Sequence, residues 1–501
     1  MNPSEKRDSP LRDLMGVPDF LRLWLVGAFA NAMRWLELLV SGVFAYEVTG
    51  SALAATAVVA ARQLPQLAFG AFAGAISEAV NRKLIVMLAL VVPAVVSTVL
   101  ATLATVGHLE LWQVALGNFV SGTMWATEMS TRRRMVGEVA GPHRIVPAIA
   151  LDSATNAATR MIGPLLGGLA FQWLGMKGAY TLTALVQFAG AFAMAGLFHP
   201  QVTRKLALGR IPGDIVEGLA FARTKPVILL VYGITIVTNA FAFAYSGLIA
   251  PLGLGAFHVS PALVGLLAAA EPIGALLGGA LIAAGILRMD RRLLFAGGAA
   301  MFMAALIVMA LSPSYWLAFT VLVIGGFGTA GFGNMQTTLM LTEAPIEMRS
   351  RLMGIVTVCI GTGPLGVLAA GALAGELGPR EAVLVMASLG LAATIALSAA
   401  LRRRWTRVCE PRSRSSAARP GGSCHRAPQA APVPGRSPGA PQHAARAANG
   451  STGCRTSSLR KSARRPPPTH AHRDSRGARP IEPRSLRPPA ARGARPRRRE
   501  R

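Results

Sequence analysis

The sequence predicts an all-α integral membrane protein with twelve transmembrane helices in two six-helix pseudo-repeat halves, followed by a disordered C-terminal tail. Three observations lead there. Of 501 residues, 52% are hydrophobic and only 15% charged, with mean hydropathy +0.45, which is too apolar for a soluble chain of this length. Apolar runs long enough to cross a bilayer recur before residue 402. The cations of the short loops between them fall almost entirely on one side.

A hydrocarbon core about 30 Å thick needs about 20 apolar residues in a helix. The segments meeting that test are residues 21–46, 53–76, 84–106, 111–130, 146–173, 178–198, 226–250, 261–287, 292–311, 315–341, 352–374 and 381–401. Short turns such as Thr49-Gly50-Ser51 and Leu311-Ser312-Pro313-Ser314 divide them. With the N-terminus cytoplasmic, nineteen Lys and Arg between Lys6 and Arg351 lie in inside loops, against Lys177 and Arg380 outside. That asymmetry fixes an even number of crossings with both termini cytoplasmic, here in a bacterial inner (plasma) membrane.

The longest internal loop divides the chain. Residues 1–19 read as a cytoplasmic N-terminus without the pattern of a signal peptide, and residues 20–198 as the first six-helix half. Residues 199–225 form a cytoplasmic linker with an amphipathic helix (Ile215, Leu219 and Phe221 among charges), and residues 226–401 the second half. Faint repeats support the division: Gly163-Pro164-Leu165 returns as Gly363-Pro364-Leu365. Parallel repeats about an axis along the membrane normal place a substrate site between halves near the midplane.

The net charge of +28 belongs mostly to the tail, since residues 402–501 hold 26 of the 51 Lys and Arg but four acids. No basic, nucleic-acid-binding core follows, and no nucleic-acid partner is expected. Rich in Arg, Pro, Ala, Ser and Gly, with Lys461 its one lysine, the tail buries too little surface to fold. Its composition is also that of GC-rich DNA read out of frame, so two readings stand: a frameshift after about Arg404, or a genuine polybasic tail lying on anionic lipid. Cys359, Cys409, Cys424 and Cys454 make neither a CxxC nor a Cys/His spacing, so no metal and no disulfide framework is expected. No phosphate-loop, GxSxG or HExxH motif appears; no cofactor and no enzyme activity is expected.

Energy must then come from a gradient, which requires ionisable groups inside the membrane. A charge at the bilayer centre costs about 2.5–3.5 kcal/mol even on a lenient scale, so such residues are paired, face a wet cavity, or work. Arg34 and Glu37 lie i,i+3 on the first helix and either line the central cavity or neutralise each other. Arg62 precedes Pro65 and compensates a helix end or Glu37. Asp152, Asn156 and Arg160, spaced i, i+4, i+8, form one polar stripe on the fifth helix. Glu271 lies mid-helix without a cation nearby in sequence. It is the sharpest candidate for proton exchange; the alternative is a permanent pair with Arg160 or Arg34 across the halves. Trp35, Phe241, Tyr245 and Phe332 are expected to line the cavity.

Gly74-Ala-Ile-Ser-Glu78-Ala-Val-Asn81-Arg82-Lys83 resembles the loop motif between the second and third helices of the major facilitator superfamily. Glu78 stands where that family has Asp, and Asn81 where it has Gly. Phe20-Leu-Arg-Leu-Trp24, Tyr46-Glu-Val-Thr-Gly50-Ser51, Arg160 through Gly163-Pro164 to Gly168, and Asn334-Met-Gln336 through Pro345 to Gly354 resemble its branch of enterobactin exporters and transmembrane secretion effectors. The resemblance covers about residues 18–401. It implies an alternating-access transporter, with Gly163, Pro164, Gly363 and Pro364 in gating and packing. The expected function is proton-coupled export of small amphiphilic molecules (drug-like compounds or siderophores) by a monomer, with the small molecule, protons and the lipid bilayer as partners. The alternatives are a nutrient uptake symporter or, from another class, a membrane anchor presenting a basic tail.

Overall fold

The computed structural model describes residues 10–69, 80–197, 211–287 and 289–409. Gly74 and Glu78, and the tail from residue 410, lie outside the described residues. The short α1 (Pro10–Met15) precedes α2 (Pro18–Thr49), α3 (Ala52–Phe69), α4 (Arg82–Val106), α5 (Leu111–Ala140) and α6 (Ile145–Ala195). After α7 (Ile211–Thr224) come α8 (Pro226–Val237), α9 (Pro261–Ala283), α10 (Arg291–Leu311), α11 (Tyr315–Glu343), α12 (Arg349–Ile360), α13 (Gly363–Leu377) and α14 (Pro379–Cys409). Side-chain caps fix several starts: Asn81 accepts from the Lys83 and Leu84 amides, and Asp290 from those of Arg292 and Leu293.

Among the described residues, nine helices are long and apolar enough to cross a membrane. One of them, α6, is 51 residues long, which as a straight rod would measure about 76 Å at about 1.5 Å per residue. It is not straight: Gly175 sits at φ 65°, ψ −172°, a conformation glycine adopts at little cost. Arg144, before its first turn, donates to the Asp13 carbonyl, while Gly196, after its last, accepts from Arg22. Both ends of α6 therefore return to the first two helices, one to Asp13 in α1 and the other to Arg22 in α2. The chain reverses at Gly175, and α6 is two antiparallel arms.

Three boundaries differ from the sequence reading. Helix α5 runs ten residues past the expected end at residue 130, because Glu128, Arg132 and Glu138 find charged partners (below). The expected single helix 352–374 is broken at Gly361–Thr362, where Pro364 lacks the N–H a continuous helix would need. Helix α14 continues to Cys409 rather than stopping at residue 401. After α8 the backbone winds through a π turn (Thr238–Ala242), a 3-10 turn (Phe243–Leu248) and a second π turn (Pro251–Ala256).

Small residues set the close contacts. A Cβ on Gly168 would stand 2.3 Å from the Pro261 carbonyl oxygen, and one on Gly265 2.5 Å from that of Pro164, so α6 and α9 meet backbone to backbone. Gly371 of α13 faces Thr56 of α3 equally closely. Linker helix α7 packs on α12: Ala222 is fully buried, and Gly218 lies under Ile355. Leu219, expected on the apolar face, is 39% exposed. An exposed Arg351–Glu217 pair at 2.6 Å ties α12 to α7. Glu217→Ala is expected to cost under about 1 kcal/mol, seen as an unchanged melting temperature of the purified protein.

Candidate functional site

Among the described residues, three ionic clusters lie inside the helix bundle. In the first, Arg34 on α2 contacts Glu128 on α5 at 2.9 Å; Glu128 also holds Arg132 at 2.9 Å, and Arg132 reaches Asp152 on α6 at 2.5 Å. Two cations and two anions alternate, and the cluster is neutral. Gly27 on α2 leaves room for it, since a Cβ there would stand 2.6 Å from Arg132 Nη1. Asn31 accepts from Arg34 at 3.0 Å and donates to Asn156 at 2.9 Å and to the Thr159 hydroxyl.

The second cluster is the most deeply buried. Glu37 on α2 and Arg62 on α3 pair at 2.7 Å with side chains 2% and 3% exposed. Ser97 on α4 donates to Glu37 at 2.6 Å, and Gln187 on α6 at 3.4 Å. Arg62 reaches Asn118 on α5 at 3.4 Å, and Asn118 donates to Ser41 and to the Val58 carbonyl, both at 3.0 Å. The expected Arg34–Glu37 pair does not form. Three residues apart, the two side chains diverge enough for each to find its own counter-ion on another helix.

The third cluster joins the first group of helices to the second. Arg160 on α6 contacts Glu271 on α9 at 2.9 Å, with 33% of the Arg160 side chain exposed against 2% for Glu271. The Thr329 hydroxyl on α11 donates to the other Glu271 oxygen at 2.5 Å. The Arg160 guanidinium lies over the Trp35 ring, 5.6 Å from its centroid. Trp35 meets Trp125 edge to face at 6.2 Å, and Arg34 covers Trp125 at 5.4 Å, so aromatic contacts link the first cluster to the third. Gly163 admits Trp35: a Cβ on it would stand 2.5 Å from that of Trp35.

The stripe expected on the fifth helix therefore serves three partners. Asp152 binds Arg132, Asn156 binds Asn31, and Arg160 binds Glu271. Arg82 is not a bare loop cation but pairs with Glu138 at 2.5 Å, while Lys83 donates to the Ala195 and Leu197 carbonyls. Arg292 and Glu343 pair at 3.1 Å near the corresponding ends of α10 and α11. Gly363 lies near Gln63, and Pro364 is buried in the first turn of α13. Tyr245 and Phe332, expected on a cavity wall, are buried in the core, Tyr245 against Phe302 and Phe332 stacked on Phe295 at 5.3 Å. Sequence reasoning missed Glu128, Asn118, Gln187, Thr329 and Trp125, and it read Arg132 only as a topology signal. Glu128 and Arg132, spaced i,i+4, carried the one local clue. No cluster of metal-ligating residues occurs among the described residues.

The third cluster thus sets a buried carboxylate against a partly exposed guanidinium between two groups of helices. Solved structures share this fold. A POT family transporter in complex with 5-aminolevulinic acid superposes with TM-score 0.62 at 13% identity, over 78% of this chain and 96% of that one. A bacterial homologue of the human lysosomal transporter Spinster, inward-facing and unoccupied, does so with TM-score 0.62 at 14% identity, over 78% and 97%. A point mutant of the nucleoside transporter NupG follows with TM-score 0.61 at 12% identity, over 76% and 99%. Among curated proteins, the multidrug efflux pump Tap of Mycolicibacterium fortuitum is 26% identical over 366 residues, 71% of this chain and 87% of Tap. Residues 9–421 match the transmembrane secretion effector family, and the chain belongs to that family of major facilitator transporters.

Proposed function

We propose that the protein exports small amphiphilic molecules, drug-like compounds or siderophores, by alternating access coupled to protons. The single observation carrying this is the Arg160–Glu271 pair. It joins α6 to α9, it is the one of the three clusters whose members lie on both sides of the long internal loop, and it has a carboxyl able to take up a proton. Likeness to an efflux pump favours export over uptake. Counting both arms of α6, together with α3 and α5, the helices make twelve crossings, six before α7 and six after, with both termini cytoplasmic in a bacterial plasma membrane. The protein acts as a monomer. Close packing at Gly168–Gly265 and Thr56–Gly371 is the closed outer gate of this arrangement. Arg34 and the Asp152–Asn156 stretch brace the first half around the cavity.

The test is dye and siderophore accumulation in efflux-deficient cells. The wild-type chain is expected to lower accumulation in an uncoupler-sensitive way, and Glu271→Gln to abolish that effect at normal expression. Truncation after Arg404 is expected to change nothing. Uncoupler-sensitive export by Glu271→Gln would remove this carboxyl from coupling.

A further inference from the structure

The Arg160 guanidinium occupies a slot shaped for a cation. One wall is the Trp35 ring face, 5.6 Å away. The floor is the Glu271 carboxylate at 2.9 Å, fixed from behind by the Thr329 hydroxyl. A second indole, Trp125, stands edge to face against Trp35 and has its own face covered by Arg34. An aromatic face beside a buried carboxylate attracts ammonium, phosphonium and guanidinium groups, more strongly once water is excluded. In this state the slot is filled by the protein's own side chain, which is one-third exposed and so has open space to swing into.

Charge counting decides which ligand suits proton-driven export. The Arg160–Glu271 pair is neutral. A cationic ligand that takes the place of Arg160 on Glu271 keeps the slot neutral, and protonating Glu271 would then leave the ligand at +1 without a counter-ion. Proton and cation therefore exclude each other. An anionic ligand with a proton leaves the site at zero, so those two favour each other's binding. Linkage is reciprocal: mutual exclusion is what exchange of substrate for proton requires, and mutual support is what co-transport requires. The other groups facing Glu271 do not alter the count. Tyr245 approaches from the 3-10 turn and is neutral, Thr329 on α11 does not titrate, and Arg34 on α2 is already held by Glu128.

We propose that this slot binds the positive head of the exported substrate, which displaces Arg160 from Glu271 and lies on the face of Trp35. The substrate class is then an aromatic amphiphile with one positive charge, rather than a catecholate or carboxylate. The assignment rests on the export reading above.

The test uses the purified full-length protein with two probes, tetraphenylphosphonium and 2-naphthoate, titrated by calorimetry between pH 6 and pH 8. Tetraphenylphosphonium is expected to bind more weakly as pH falls, and Glu271→Gln to abolish that dependence. Trp35→Ala should weaken binding roughly tenfold, with Trp35→Phe recovering part of it. Arg160→Ala should tighten binding several-fold, because the tethered competitor is gone; a purely structural arginine gives no such gain. Melting temperatures establish that each variant is folded. Naphthoate binding that strengthens as pH falls, or tetraphenylphosphonium binding indifferent to pH and to Arg160, would overturn the assignment. Proteoliposomes separate the two claims. Proton-driven export of an anionic dye without tetraphenylphosphonium binding keeps the export reading and sinks the cation slot. Proton-competitive tetraphenylphosphonium binding with no proton-driven flux keeps the slot and sinks export.

Discussion

Glu37→Leu is expected to destabilise the protein by about 3–5 kcal/mol, the cost of leaving one member of a buried pair alone. Arg62→Met is expected to cost less. The difference follows from what remains. Without Glu37, the Arg62 guanidinium stays charged whatever its surroundings, since it cannot be deprotonated in a protein. Its contact with Asn118 at 3.4 Å is weak compensation. Without Arg62, the Glu37 carboxylate keeps donors from Ser97 and Gln187. The double variant is expected to recover much of the loss, because apolar side chains of similar volume often replace a buried pair with little penalty. Heating the detergent-solubilised variants and measuring the surviving monomer peak by size exclusion gives the order. Arg62→Met falling below Glu37→Leu would refute the argument.

Gly274→Val is expected to cost at least about 3 kcal/mol and to impair transport, the upper end of what added volume does in a packed interior. A Cβ at Gly274 would stand 1.8 Å from the Val323 carbonyl oxygen and 2.9 Å from Gly326 Cα. These are backbone atoms that no rotamer change can move aside, so α9 and α11 must separate. Three residues before Gly274 lies Glu271, whose carboxylate is fixed by Thr329 on α11, and parting the helices draws that donor away. Gly279→Ala is the control on the same helix: its nearest neighbour is the Asn334 side chain at 3.7 Å, and it should behave as wild type in heat stability and in dye export. A tolerated Gly274→Val would show that the helices cross less tightly than described.

Much of the architecture was legible because a bilayer imposes a simple code on sequence: apolar runs of fixed length divided by short polar turns. The charged residues were legible one at a time, since Arg34, Glu37, Arg62, Arg160 and Glu271 each stand out against apolar neighbours. Their partners were legible only as alternatives: Glu37 or a helix end for Arg62, Arg160 or Arg34 for Glu271, and the first of each pair of names is the one that forms. Arg160 and Glu271 are 111 residues apart, and only helix packing decides that they meet. Proximity in sequence misled for Arg34 and Glu37, because a helix facing three neighbours offers each side chain a different counter-ion. Glu128 and Arg132 were passed over because hydropathy falls at residue 130, which reads as the end of a membrane helix. That part of α5 is polar because it carries half of a buried ionic cluster. Tyr245 and Phe332 were assigned to a cavity wall because aromatic residues suit amphiphilic ligands, yet they suit the packing of core helices equally well.

The reversal at Gly175 governs sidedness. A chain that crosses a membrane keeps a running parity, and each later loop inherits its compartment from the crossings before it. Here one backbone dihedral at φ 65° turns a 51-residue rod into a down-and-up pair, and so adds one to the count. On the twelve-crossing arrangement proposed above, everything from α7 to Cys409, including the cations of α10 and the carboxyl of Glu271, takes its inside or outside address from that single bend. Crossed as a single rod, α6 would put all of them on the opposite face.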